Sequence, residues 1–175
     1  MTLWVALLRG VNVNGITIRS ADLADLFRAR LGFDDVRTVL ASGNVRFTSA
    51  GKQAALKTAI EAALRERFAY DAWIVLLTAD ELQAAVHGFP FDADDPARQP
   101  YVVFASDPAA IDTLAAAAEK LDHDVDPVQA GDGILYWNPV RGSTTTTPFA
   151  RELARPVYKR TTTNRNLRTL VKLTA

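Results

Sequence analysis

Leu3-Trp4-Val5-Ala6-Leu7-Leu8-Arg9-Gly10-Val11-Asn12-Val13-Asn14-Gly15 is the stretch on which the fold turns. Its apolar run from Leu3 to Leu8 shows no polar alternation, so it predicts a strand buried on both faces. Arg9-Gly10 ends that strand and opens a polar loop. Downstream, Leu23, Leu26, Phe27 and Leu31 recur at helical spacing over 21–31, with Ser20 as expected N-cap and Gly32 as C-cap. Val36–Leu40 and Val45–Thr48 flank the turn chemistry of Ser42-Gly43-Asn44, which predicts a hairpin. A helix carrying Leu56, Ile60, Leu64 and Phe68 follows, and then a second fully apolar strand, Trp73–Leu77. The order of the first half is therefore βαββαβ, that of the split βαβ, ferredoxin-like sandwich.

Thr78-Ala79-Asp80-Glu81 matches a capping box, in which threonine and glutamate each satisfy an orphaned amide at the start of a short helix. Gly88, Pro90, Pro96 and three aspartates mark 88–99 as the connection between halves spanning 1–87 and 100–175. The second half repeats the pattern. A strand at Tyr101–Phe104 leads into a helix with Asp107 as N-cap, and a hairpin turns at Gly131-Asp132-Gly133. A helix from Phe149 and a last helix over Asn166–Lys172 close it as βαββαα. The fold class expected is α+β, a ferredoxin-like sandwich in two imperfectly duplicated halves. Because the first and second strands are parallel, the Arg9 loop and the Ser42 turn lie at one sheet edge.

Composition narrows the chemistry. Hydrophobic residues make up 49% of the 175, there is no cysteine and there are two histidines. Disulfides, thiolate metal sites and cysteine nucleophiles are excluded, and neither a metal nor a cofactor is expected. The first nine residues lack the basic segment of a signal peptide, and no stretch approaches a membrane span, so the expected setting is cytoplasmic with no membrane partner. Twenty basic and twenty acidic residues cancel overall but not locally. Segment 71–135 holds two basic and thirteen acidic residues, while 141–175 holds eight basic and one acidic. A basic tail suits phosphate or nucleic acid, or else folds against the acidic middle.

In the loop from Arg9 to Gly15, glycines permit close backbone approach, the following helix offers free amides and arginine supplies a forked donor, a combination suited to an anion. The Gly-Lys-Ser/Thr ending of a P-loop is absent. A glycine-rich turn into a capped helix also needs no ligand. Ser42 as nucleophile would need a positioned base, and neither His87 nor His123 is expected near that edge. Thr161 to Asn166, with Arg160, Arg165 and Arg168 nearby, is expected to open the last helix with more polar groups than one cap requires.

Leu7-Leu8-Arg9-Gly10-Val11-Asn12-Val13, Ser42-Gly43-Asn44 and the late threonine, arginine and asparagine cluster together resemble the hallmark motifs of a bacterial family, domain of unknown function 1697. The resemblance runs along nearly the whole chain and implies fold and extent, but no established activity. It carries the family's recurrent polar positions onto Arg9, Gly10, Asn12, Gly15, Ser42, Gly43, Asn44, Thr163, Arg165 and Asn166. It also implies lysines where this chain has Ile16, Ile18 and Thr144, and a threonine where it has Asn164.

Three functional readings follow. One is a binding protein for a phosphate-bearing ligand, a nucleotide or nucleic acid, with Arg9 pairing the anion and Asn12 and Asn44 reading hydroxyls or bases. Another is an enzyme acting on a phosphorylated small molecule in the same cleft, with catalytic residues unknown. The third is an interaction module that pairs as a homodimer through its sheet edges.

Overall fold

The opening apolar run forms β1 (Thr2–Leu8), in which Val5, Ala6 and Leu7 are wholly inaccessible and Leu8 nearly so. Both faces of this strand are buried. The structure, a computed structural model, describes residues 1–11, 15–41 and 43–175. The chain divides into one unit of Met1–Leu82 with Lys172–Ala175 and another of Gln83–Val171.

In the first unit, β1 is followed by α1 (Ser20–Asp25), which widens into a π-helical turn over Leu26–Arg30. Then come β2 (Asp34–Thr38), β3 (Asn44–Ser49), α2 (Gln53–Phe68) and β4 (Ile74–Thr78). The strands form an antiparallel sheet in the order β2-β3-β1-β4. This is the split βαβ arrangement. Trp4, Ala6 and Leu8 alternate onto the face that packs with Phe27, Phe47, Ile60 and Leu64. Phe47 anchors that core, stacked 4.4 Å from Phe33 and edge-on 5.4 Å from Phe27. Ser20 is the first helical residue rather than the cap, since Arg19 takes the extended cap position, its guanidinium paired with Asp22 of the first turn at 2.7 Å. Arg46 on β3 donates to the carbonyls of Leu173 and Ala175, which places a cation at a helix C-terminus.

The second unit contains most of α3 (Ala79–His87), whose capping box forms as expected: the Thr78 amide donates to Glu81 Oε2 at 2.7 Å and the Glu81 amide to Thr78 Oγ1 at 3.2 Å. After it come β5 (Tyr101–Ala105), α4 (Pro108–Ala118), β6 (Val128–Ala130) and β7 (Ile134–Trp137). Asp107 caps α4 by accepting from the Ala109 amide at 3.0 Å. Two short helices, α5 (Pro148–Leu153) and α6 (Pro156–Lys159), precede β8 (Thr162–Asn166) and α7 (Leu167–Thr174). Here the sequence expectation needs correction. Thr162–Asn166 is a strand paired along β5, not the start of a helix, and the sheet order β6-β7-β5-β8 repeats that of the first unit. The second unit therefore reads βαββααβα rather than βαββαα. Its core joins Val103, Ile111, Leu114, Leu135, Trp137 and Phe149. Asp126, fully buried, supports that core by accepting from Trp137 Nε1 at 3.0 Å and from the Phe149 amide at 2.9 Å.

Candidate functional site

Two chain segments meet at the end of β1. The Leu8 amide donates to the Gly43 carbonyl at 2.8 Å, and the Arg9 amide to the Trp73 carbonyl at 3.0 Å. The hairpin turn and the β1 exit are thus joined directly. Gly43 has φ +73, and a Cβ there would stand 2.8 Å from Leu8 Cβ and 3.3 Å from Val11 Cγ2. Only glycine fits, because the position demands both a left-handed backbone and contact with the neighbouring loop. Gly10, at φ +71, turns the chain out of the strand, and a Cβ there would meet nothing within 4 Å.

Asn44 closes the hairpin from within. It is fully buried; its Nδ2 donates to the Val39 carbonyl at 2.9 Å, and its own carbonyl accepts from the Val39 amide at 3.0 Å. With its amide turned inward onto Val39, Asn44 shapes the loop.

Arg9 differs from Asn44 in that its side chain finds no partner among the described residues. The guanidinium is half-buried and, among the described residues, has neither a carboxylate nor a hydrogen-bond acceptor as partner. Burial alone pushes its pKa below the ordinary arginine value, with no opposing charge to restore it. Residues 12–14 and 42 are Asn, Val, Asn and Ser, so they bring no carboxylate either. Asn12 and Ser42, both expected at the site, lie outside the described residues. Gly15 is described, with φ +81.

Thr163, Arg165 and Asn166 belong to the second unit and are engaged in its fabric. Arg165 Nη1 donates to Thr163 Oγ1 at 2.5 Å and to the Asn164 carbonyl at 3.0 Å, while burial pulls its guanidinium down to about 10, still charged at neutral pH. Asn166 Oδ1 accepts from the Arg168 amide at 2.9 Å and so caps α7, and its side chain also bonds the Tyr101 hydroxyl. These bonds build a strand and the cap of the helix that follows it.

A groove between α1 and α2 is lined by Asp22, Asp25, Arg30, Glu66 and Arg67. It carries both signs of charge, is bridged by the Arg30–Glu66 ion pair at 3.2 Å, and contains none of the residues expected at the site. Among the described residues no cluster of His, Asp and Glu has the makings of a metal site, and no helix is long and apolar enough to cross a membrane.

The β1 exit, its arginine and the hairpin glycine all fall inside a region matched by a single family model, described as a protein of unknown function, DUF1697, which covers residues 1–136. The chain belongs to the DUF1697 family. The match ends before the Thr163–Asn166 cluster. A solved structure, described as that of the conserved bacterial protein SP0830 from Streptococcus pneumoniae, is 24% identical, with a TM-score of 0.81 over 99% of this chain and 97% of that one. The likeness is one of fold. None of the curated proteins matches the chain.

Proposed function

We propose that this DUF1697 protein binds a phosphate-bearing ligand, a nucleotide or nucleic acid of the cytoplasm, at the Arg9 loop of its first unit. The observation that supports this best is the Arg9 guanidinium itself, partly withdrawn from water with no partner among the described residues. An unpaired cation held in that way loses hydration and recovers it from an anion, and the planar fork of arginine matches phosphate oxygens. The residues around it supply backbone rather than competing charge. Gly43 brings main chain close against Leu8 and Val11, and residues 9–19 run between β1 and α1.

The test is thermal unfolding of wild type and Arg9→Ala with nucleotides, phosphosugars and short nucleic acids. A ligand that binds the folded state raises the midpoint with its excess over Kd. Arg9→Ala is expected to weaken binding by about tenfold to a hundredfold, the effect of removing one charged hydrogen-bond donor. Added salt is expected to weaken wild-type binding as well. Absence of any shift in wild type across the panel would overturn the proposal, and light scattering would then test the homodimeric interaction module in its place.

A further inference from the structure

Leu40 stands in the loop between β2 and β3, 53% exposed and with φ +57. Leucine gains nothing from either property. Exposure leaves its side chain in water, and the left-handed backbone sets Cβ against the carbonyl, a conformation that glycine or asparagine takes more cheaply. The loop around it is firmly built. Val39, immediately before, is tied to Asn44 through its amide at 3.0 Å and its carbonyl at 2.9 Å.

The sheet register gives Leu40 its place. Val39 lies opposite Asn44, Asn44 opposite Leu7, and Leu7 opposite Val75. One step further along, Leu40 and Gly43 rise beside Leu8, and Arg9 follows. With strands spaced a little under 5 Å apart, Leu40 stands about 10 Å across the sheet edge from the β1 exit. A strained, exposed leucine and a guanidinium with no partner among the described residues thus share one edge of one unit.

We infer that Leu40 is a specificity-determining contact that receives the flat, apolar ring of a nucleoside phosphate whose phosphate is held by Arg9. This rests on the Arg9 reading and adds to it a ligand class: a sugar phosphate or inorganic phosphate has no apolar surface to offer leucine, whereas a nucleobase does. Strain retained at an exposed position is accounted for when the side chain is covered by ligand.

The experiment measures Kd for a purine nucleoside monophosphate, ribose 5-phosphate and inorganic phosphate, by calorimetry, in wild type, Leu40→Asn and Leu40→Gly. Wild type is expected to prefer the nucleotide. Both variants are expected to lose roughly tenfold of nucleotide affinity, the scale of one apolar contact, with ribose 5-phosphate affinity unchanged and thermal midpoints equal to or above wild type. Unchanged sugar-phosphate binding also reports that each variant is folded. Equal wild-type affinity for nucleotide and ribose 5-phosphate, or a nucleotide preference that survives both substitutions, overturns the role of Leu40 while leaving the Arg9 reading intact. Failure of all three probes to bind wild type overturns the role of Leu40, and failure of short nucleic acids as well overturns the Arg9 reading.

Discussion

Arg9 and Ser106 occupy the same station in the two units. Each is the first residue past the opening strand, and each donates its amide to the residue just before the antiparallel partner strand, Arg9 to Trp73 at 3.0 Å and Ser106 to Thr161 at 2.8 Å. From there the chains diverge. In the second unit Ser106 folds its hydroxyl back onto the same Thr161 carbonyl at 3.3 Å, and Asp107 caps α4 at once, so residues 106 and 107 complete the connection. In the first unit residues 9–19 separate β1 from α1, and the side chain at the matching position is an arginine with no partner among the described residues. A split βαβ unit needs only the short connection, as the second unit demonstrates. The longer connection puts Val11 and Ile18 into the core, whereas its first residue, Arg9, lies outside that cluster, and loops on rigid scaffolds are where binding residues accumulate.

Glycine substitution probes that difference with the largest expected effect. Gly43→Ala must place a Cβ 2.8 Å from Leu8 Cβ on a left-handed backbone, and is expected to cost about 2–4 kcal/mol. Gly133→Ala, in the corresponding hairpin of the second unit, has φ +68 with nothing near the added carbon, and is expected to cost about 1 kcal/mol. Urea unfolding of the two variants measures both costs. Equal losses would mean that the hairpin of the first unit is not locked onto the β1 exit.

Tyrosine ionisation sharpens the comparison next. Tyr136 of the second unit donates its hydroxyl to the Ala85 carbonyl at 2.8 Å, whereas Tyr70 of the first unit, 8% exposed, buries its hydroxyl without a partner among the described residues. Burial raises the Tyr70 pKa from 10.0 to about 12. The unfolded chain then loses this proton first. Stability is unaffected below pH 10, declines between pH 10 and 12 by about 2–3 kcal/mol, and is level above. Tyr70→Phe is expected to remove most of that alkaline decline, as followed by denaturant titrations at pH 9 and 11.5, and to leave stability at pH 7 equal or slightly higher. An undiminished decline in the variant would assign it to other tyrosines.

Sequence pattern made one sheet more legible than the other, for reasons visible in single residues. The apolar run Leu3–Leu8 and the turn at Ser42-Gly43-Asn44 carry strong signals, and so do the caps at Thr78 and Asp107. Strand β8, Thr162-Thr163-Asn164-Arg165-Asn166, has no apolar residue, so neither alternation nor a hydrophobic run marks it. Its paired threonines were the available clue, being β-branched, but hydroxyls before a helix suggest caps equally well. Asp126 is hidden for a related reason. A carboxylate amid acidic neighbours reads as surface, and only the tertiary fold brings Trp137 Nε1 and the Phe149 amide to it. At the candidate site, residue types drew notice to Arg9 and Asn44 alike. That one has no partner among the described residues and the other bonds Val39 depends on the hairpin's closure, which pattern alone does not contain.

The smallest expected effect bears most directly on the difference between the two loops. If Arg9 is held for a ligand, the fold gains nothing from its charge, and Arg9→Leu, which keeps an apolar stem, is expected to leave stability within about 1 kcal/mol of wild type and on the stabilising side. Ser106→Ala removes a hydroxyl that closes its own turn, and is expected to destabilise by about 0.5–1 kcal/mol. The two substitutions at equivalent stations should therefore differ in sign when midpoints are compared without added ligand. Loss of more than 1 kcal/mol in Arg9→Leu would show that the guanidinium supports the loop, and the first unit's long connection would then be architecture as the second unit's short one is. A neutral or stabilising result, joined to lost ligand binding in the same variant, would separate function from fold at this one residue.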